Sequence, residues 1–281
     1  MTNRKLNTKI FAFNVKLRSN ERSGEEAYIA LFEKMFSEKI IGTPKRGNSM
    51  ILRTQFKTTI SGNTILYGKL ARFTKLDSDE WINLSNLEKS QYELPENMFP
   101  NLKETDYFFI PQAHRFCIRK VANLVSVYQV EEFLQDSLRK CRTSTEQVDV
   151  FVEQSSETIE KILNAVSVRR IELEISYTNN DIGDEASEYV DDIIKEMRAN
   201  KVKMIVSPDQ ENNLSLDNQF LRGAVELAKS NGIVKASIIN NNNQHEKVIT
   251  KDHPEEFSIH ADNADKLNEA VFQKKMGIFR S

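Results

Sequence analysis

The sequence predicts an α+β protein of two domains. The first, residues 1–145, holds a mixed sheet with a basic hairpin; the second, residues 146–281, holds a β-α-β-α-β sheet with helices packed on it. Three observations support this. Residues 168–240 read as strand, helix, strand, helix, strand. Residues 50–74 alternate in polarity about Ser61-Gly62-Asn63, as a hairpin does. A chain of 281 residues with 39% hydrophobic and 28% charged side chains can fill more than one core.

Lys9–Leu17 reads as a first strand. Ser23 and Glu26 have capping-box spacing, and Tyr28, Leu31, Phe32, Met35 and Phe36 form the apolar stripe of the helix they open. Met50–Ile60 and Thr64–Thr74 pair as the hairpin. Residues 76–106 form an acidic, irregular connection in which Trp81, with Leu84 and Leu87, is expected to anchor the core. Tyr107–Ile110 and Arg115–Arg119 suggest a second hairpin. Val130, Phe133, Leu134, Leu138 and Cys141 mark another helix, and Val148–Val152 a strand. Ile159, Ile162, Leu163 and Val166 face inward from a short helix.

In the organising stretch, Ile171, Leu173, Ile175 and Tyr177 share one strand face, and Glu172 and Glu174 the wet one. Ala186, Tyr189, Val190, Ile193 and Met197 recur at helical spacing. Val202–Val206 is a short apolar strand. Asp217 is placed to cap a helix with the stripe Phe220, Leu221, Ala224, Val225 and Ala228, which ends at Asn231-Gly232. Ile233–Ile239 is the next strand. Beyond the asparagine run 240–243, Lys247–Thr250 pairs back onto it. Ala261–Ser281 reads as a closing helix with Leu267, Ala270, Val271 and Met276 inward.

The net charge of −2 conceals segregation. Residues 1–75 carry ten surplus cations, residues 76–106 six surplus acids, residues 107–143 three surplus cations and residues 144–200 nine surplus acids, while residues 201–281 balance. Such blocks suggest one part that faces a polyanion and another that repels it. Two cysteines, Cys117 and Cys141, make no disulfide framework and read as core residues of a reducing interior. With no leader-like or membrane-length apolar run, a cytoplasmic location is expected.

No H-E-x-x-H, C-x-x-C, Gly-rich phosphate loop or G-x-S-x-G elbow occurs, so no metal, cofactor or catalytic residue is assigned. A metal-dependent nuclease needs clustered carboxylates with a nearby lysine. Asp149 and Glu153 bracket a strand, but Ser155 stands where the lysine belongs; Asp209 and Glu211 also lack it. The basic residues offer more. If Ile60 faces Thr64, then Leu52, Phe56, Leu66 and Leu70 form one hairpin face. Arg53, Gln55, Lys57 and Lys69, with Tyr67, form the other, and the loop residues Lys45 and Arg46 lie close by in sequence. Lys45, Arg46, Arg53, Lys57 and Lys69 are therefore the candidate nucleic-acid contacts.

Tyr107-Phe-Phe-Ile110, Phe116-Cys-Ile-Arg119, Val148-Asp-Val-Phe-Val152 and Arg170-Ile-Glu-Leu-Glu-Ile-Ser176 follow in an order and spacing that resembles the Rex exclusion protein A family of phage lambda. The acidic helix after them, the 224–228 region and Val248-Ile-Thr-Lys-Asp-His-Pro254 are similar to bacterial proteins of phage defence. The likeness covers most of residues 100–255 as order of elements, and no functional residue carries over. It implies a homodimer that binds double-stranded DNA without sequence preference in abortive infection, beside a membrane or effector protein encoded nearby. Two other readings stand: a metal-dependent nuclease effector, and a protein–protein interaction module docking through the acidic 144–200 region.

Overall fold

In the computed structural model the described residues are 6–22, 24–44, 48–76, 81–91, 93, 95–122, 124, 126–178, 185–209, 212–262 and 266–280, with backbone alone for 6, 185 and 277–280. They form an α+β structure built on two antiparallel sheets, as the residue pattern predicts. The first sheet has seven strands. β1 (Leu6–Arg18) is its central element, and β2 (Ser49–Ile60), β3 (Asn63–Phe73), β6 (Lys103–Ile110) and β7 (Arg115–Arg119) extend from one side of it in the order β1-β7-β6-β3-β2. On its other side β13 (Glu256–Ala261) pairs with the first half of β1 and β8 (Gln147–Val152) with the second.

The alternation along β1 explains how both faces are covered. Phe11, Phe13 and Val15 enter one core with Tyr28, Leu31, Phe32 and Met35 of α1 (Gly24–Ser37) and with Val130, Phe133, Leu134 and Leu138 of α2 (Val127–Cys141). Ile10 and Ala12 point the other way, into a smaller core closed by Leu267 and Val271 of α6 (Leu267–Arg280). The outer edge of β8 is capped by α2: Gln135 Nε2 donates to the Val148 carbonyl at 2.7 Å, and its Oε1 accepts from Val150 N at 2.9 Å. Side-chain capping removes an edge open to strand addition.

The second sheet runs β10 (Val202–Val206), β9 (Ser167–Ile175), β11 (Gly232–Ile239), β12 (His245–Ile249). One face buries Ile171, Leu173, Ile175, Val234, Ala236 and Val248 under α3 (Ser156–Leu163), α4 (Glu185–Glu196) and α5 (Gln219–Asn231). Asn218 rather than Asp217 caps α5, accepting from Leu221 N at 3.0 Å. The phase of α4 also differs from the expected stripe: Val190 and Ile194 are buried, whereas Tyr189 and Met197 are exposed. In this phase the buried carboxylate of Asp191 holds Thr178, just beyond β9, its Oδ2 accepting from Oγ1 at 2.9 Å.

The 145/146 division does not separate the two sheets. β8, β13 and α6 lie beyond it in sequence yet belong to the first sheet. The structural reason is a buried polar network where the sheets meet. Glu153, which follows β8, pairs with Arg115 of β7 and with Lys275 of α6, all three buried. Arg115 Nη1 also donates to Asn14 Oδ1 at 2.8 Å, and Asn14 Nδ2 to Asn231 Oδ1 at the end of α5 at 3.0 Å. Lys16 donates to Ser176 Oγ at 2.7 Å and lies 3.5 Å from the Tyr177 ring centroid; the Arg18 guanidinium lies 4.4 Å from the same centroid.

This network makes stability acid-sensitive. Burial opposes ionisation of Glu153, but the Lys275 ammonium and Arg115 guanidinium outweigh it and hold the carboxyl at about 2. The hydrogen bond from Arg22 likewise holds Glu146 at about 2. Groups depressed on folding stabilise above their unfolded pKa and lose that contribution as pH falls through the folded one. Urea midpoints should therefore fall steadily between pH 4.5, the ordinary carboxyl value, and pH 2. The fall should be shallower in Glu153→Gln, which loses the Glu153 contribution and retains that of Glu146. A flat profile in the parent contradicts the pairing.

Candidate nucleic-acid interface

The hairpin of β2 and β3 forms where alternation predicts it, but not in the expected register. Ile60 faces Asn63, and Lys57 faces Leu66; a bulge at Arg53 then shifts the ladder so that Leu52 faces Leu70. The bulge turns the Thr54 carbonyl over Gly68, where a Cβ would stand 2.0 Å from that oxygen, and the Tyr107 hydroxyl donates to the same carbonyl at 3.2 Å. Gly68→Ala must therefore push the bulge aside. A loss of about 1–3 kcal/mol is expected from overpacking of this kind, read as a lower thermal midpoint. An unchanged midpoint contradicts the close approach.

The slip divides the expected basic face. Lys57 falls on the helix-covered side and reaches Glu33 of α1 at 3.4 Å. Lys69 falls on the other side with Tyr67 and pairs with Asp106, which also takes Arg119 at 3.4 Å. Arg53 pairs with Glu104. Phe56, expected inside, is 56% exposed and packs on Tyr67 at 5.5 Å between ring centroids. Lys45 and Arg46 lie outside the described residues. Each of the three placed cations thus has a carboxylate partner; Arg53 and Lys69 lie against Glu104 and Asp106, two residues apart on one face of β6, and Lys57 is separated from them. The R53E/K57E/K69E variant should change duplex binding by less than about threefold, since exposed pairs of this kind contribute about 0–1 kcal/mol each.

A basic surface does form, on the second sheet. Its helix-free side follows from the register. Lys203 of β10 pairs with Glu174 of β9, and Ile205 with Glu172. Ile233 of β11 lies against Glu174, Lys235 against Glu172, and Ser237 against Arg170. Lys247 of β12 pairs with Ser237, and Ile249 with Lys235. Lys201 and Lys251 flank these rows: Lys201 reaches Glu174 at 2.5 Å, and Lys251 lies 4.7 Å from the Tyr128 ring centroid. The face is a shallow concavity of about 700 Å³.

Two carboxylates are spread among these cations. Glu174 takes Lys201 and, at 2.8 Å, Lys203; Glu172 takes Arg170 at 3.1 Å and Lys235 at 3.9 Å. Six cations, namely Arg170, Lys201, Lys203, Lys235, Lys247 and Lys251, stand against Glu172 and Glu174 on the sheet, a surplus of four positive charges there, while Glu131, Glu132 and Asp136 of α2 line the adjoining hollow beside Lys251. With strands about 4.8 Å apart, four strands spread that charge over roughly 14 Å, less than the width of a duplex. Sequence reasoning found the wet side of β9 through Glu172 and Glu174. It missed the lysines because residues 201–281 carry no net charge. The signal was the local alternation Lys203-Met-Ile205, Lys235-Ala-Ser237 and Lys247-Val-Ile249.

Of the nuclease candidates, Glu211 lies outside the described residues, and Asp149 and Glu153 do not converge. Glu153 is enclosed by Arg115 and Lys275, and Asp149 Oδ2 accepts from Asn200 Nδ2 at 3.4 Å. Among the described residues no group of three or more His, Cys, Asp or Glu side chains is arranged to hold a metal ion.

Fold and surface together define an α+β protein of two antiparallel sheets, joined by hydrogen bonds of Asn14 and Lys16 beside a buried ionic cluster of the first sheet, and presenting one open, cationic sheet face. The chain belongs to the family described as a domain of unknown function, DUF4747, whose model matches residues 6–277 and so takes in both sheets. No curated protein matches the chain.

Proposed function

We propose that this protein binds the phosphate backbone of double-stranded DNA without sequence preference, through the open face of the second sheet, and that it does so in anti-phage defence in the cytoplasm. The observation that carries the reading is the surplus of four cations on a sheet face that, among the described residues, no helix covers. Lysines spaced along strands neutralise phosphates and release counterions, whatever the base sequence. Among the described residues the strand registers place isoleucines rather than aromatic side chains in the middle of this face, and Tyr128 stands at its edge beside Lys251. Ile205, Ile233 and Ile249 offer no ring for an unstacked base, which favours a duplex over a single strand. The defence setting rests on the resemblance to the Rex exclusion protein A family. That family pairs with a membrane protein, and among the described residues no helix of this chain is long and apolar enough to cross a membrane itself.

Fluorescence anisotropy with two unrelated labelled duplexes tests the reading. Both should bind with similar Kd. About four phosphate contacts give a slope near −3.6 in log K against log salt, so raising salt from about 50 to 200 mM should weaken binding by roughly a hundredfold. Absence of binding to either duplex at the lower salt overturns the proposal.

A further inference from the structure

The connection between β3 and β6 stands out from the rest of the surface. These strands are neighbours in the sheet, yet the chain between them makes a long excursion. Its base is closed: Thr74 N donates to the Pro100 carbonyl at 3.0 Å, and Phe73 stacks on Phe99 with centroids 5.0 Å apart. Beyond that neck β4 (Trp81–Asn83) and β5 (Glu88–Ser90) pair only with each other. A two-stranded ribbon of three residues a side does not sustain itself in water. It also displays Ile82, Leu84, Leu87, Met98 and Leu102 at 56–79% exposure. Trp81, expected to anchor the core with Leu84 and Leu87, is instead half-buried on this arm. Exposed apolar side chains concentrated in this way mark a contact surface. The connection, residues 74–102, carries four surplus acids, and Glu88, Glu93 and Glu96 are exposed on it.

The arm therefore needs a partner with an apolar stripe bordered by cations, and the chain carries such a surface. On the open sheet face Ile205 is 63% exposed, with Ile233 and Ile249 in the adjoining strands and Lys203, Lys235 and Lys247 among them. We propose that the acidic arm of one copy docks on the open sheet face of a second copy, and that the reciprocal exchange closes a two-fold dimer. Opposite charge gives the contact its register, and the buried isoleucines and leucines give it affinity. The arm's carboxylates then stand where DNA phosphates bind, so the dimer and the DNA-bound form exclude each other. That exclusion, unlike the docking, rests on the DNA-binding reading above.

Sedimentation equilibrium of the full chain at low salt tests the docking. The parent should be a dimer at about 10 μM, a concentration that a micromolar contact saturates. L84D/L87D should be monomeric and folded; aspartate tolerates the left-handed φ of 59° at position 87. E88K/E93K/E96K and K203E/K235E/K247E should each be monomeric alone, and their mixture should restore the dimer. A monomeric parent, arm variants that dimerise as the parent does, or a charge-swapped mixture that stays monomeric each overturns the docking. Adding duplex to the parent should then release monomers bound to DNA. A dimer that binds duplex without dissociating overturns the exclusion, whereas a dimer indifferent to DNA leaves the docking standing and contradicts the DNA-binding reading.

Discussion

Replacing Glu153 with alanine should destabilise the protein by about 3–5 kcal/mol, the cost of leaving buried charges without their partner. Glu153 divides its two oxygens between Arg115 and Lys275. Both cations are buried, and burial alone pulls the Lys275 ammonium below its ordinary pKa. Without the carboxylate Lys275 can shed its proton, but Arg115 cannot, so the larger share of the cost falls on the guanidinium. Arg115 keeps hydrogen bonds to Asn14 Oδ1 at 2.8 Å and the Ala113 carbonyl at 3.0 Å, which hold its position without neutralising it. E153A/K275M should recover part of the loss, since a methionine fits the apolar surroundings of Phe257, whose ring centroid lies 3.5 Å from Lys275 Nζ. Urea denaturation reads all three proteins. A loss below about 1 kcal/mol in E153A would mean that water reaches the site and that these ion pairs do not hold β7, β8 and α6 together.

The K203E/K235E/K247E variant should lose duplex binding by at least about a hundredfold while staying folded. The three side chains lie on the helix-free side, and each is exposed. Their reversal turns a face with four surplus cations into one with two surplus carboxylates. The ion pairs lost, Lys203 with Glu174 at 2.8 Å and Lys235 with Glu172 at 3.9 Å, are exposed and contribute little to stability. Unchanged binding in a folded variant would place the DNA site elsewhere. The R53E/K57E/K69E variant serves as the control for charge alone. It reverses as many cations on the first sheet, where each is already paired with its own carboxylate.

Much of the fold is legible in the sequence because its signals are local. The two-residue period of β9 and the stripes of α1, α2 and α5 identify those elements and their inward faces correctly. What is illegible depends on partners far apart in the chain. Nothing near Val148 or Ile259 says that β8 and β13 divide one edge of β1 between them. The ionic clamp joins residues 115, 153 and 275, and no spacing rule links them. The hairpin register differs for another reason: the turn closes with Ile60 facing Asn63 rather than Thr64, and this one-residue shift puts Lys57 and Lys69 on opposite faces, while the bulge at Arg53, over Gly68, shifts only the ladder beyond it. The open cationic face was hidden by charge neutrality over residues 201–281, since a block total does not record which side of a strand each lysine occupies. Trp81 and the leucines near it read as core because apolar character is visible in sequence and its destination is not.

The central claim is that the open face of the second sheet neutralises DNA phosphates, and the salt dependence of duplex binding tests it most directly. Anisotropy titrations of the parent, K203E/K235E/K247E and R53E/K57E/K69E over one salt series give three slopes of log K against log salt. The expected slope is near −3.6 for the parent and for the hairpin variant, and no steeper than about −0.9 for the sheet-face variant, because each of the three lost phosphate contacts removes about 0.9 from the slope. A sheet-face variant that keeps the parental slope, or a hairpin variant that loses it, contradicts the account.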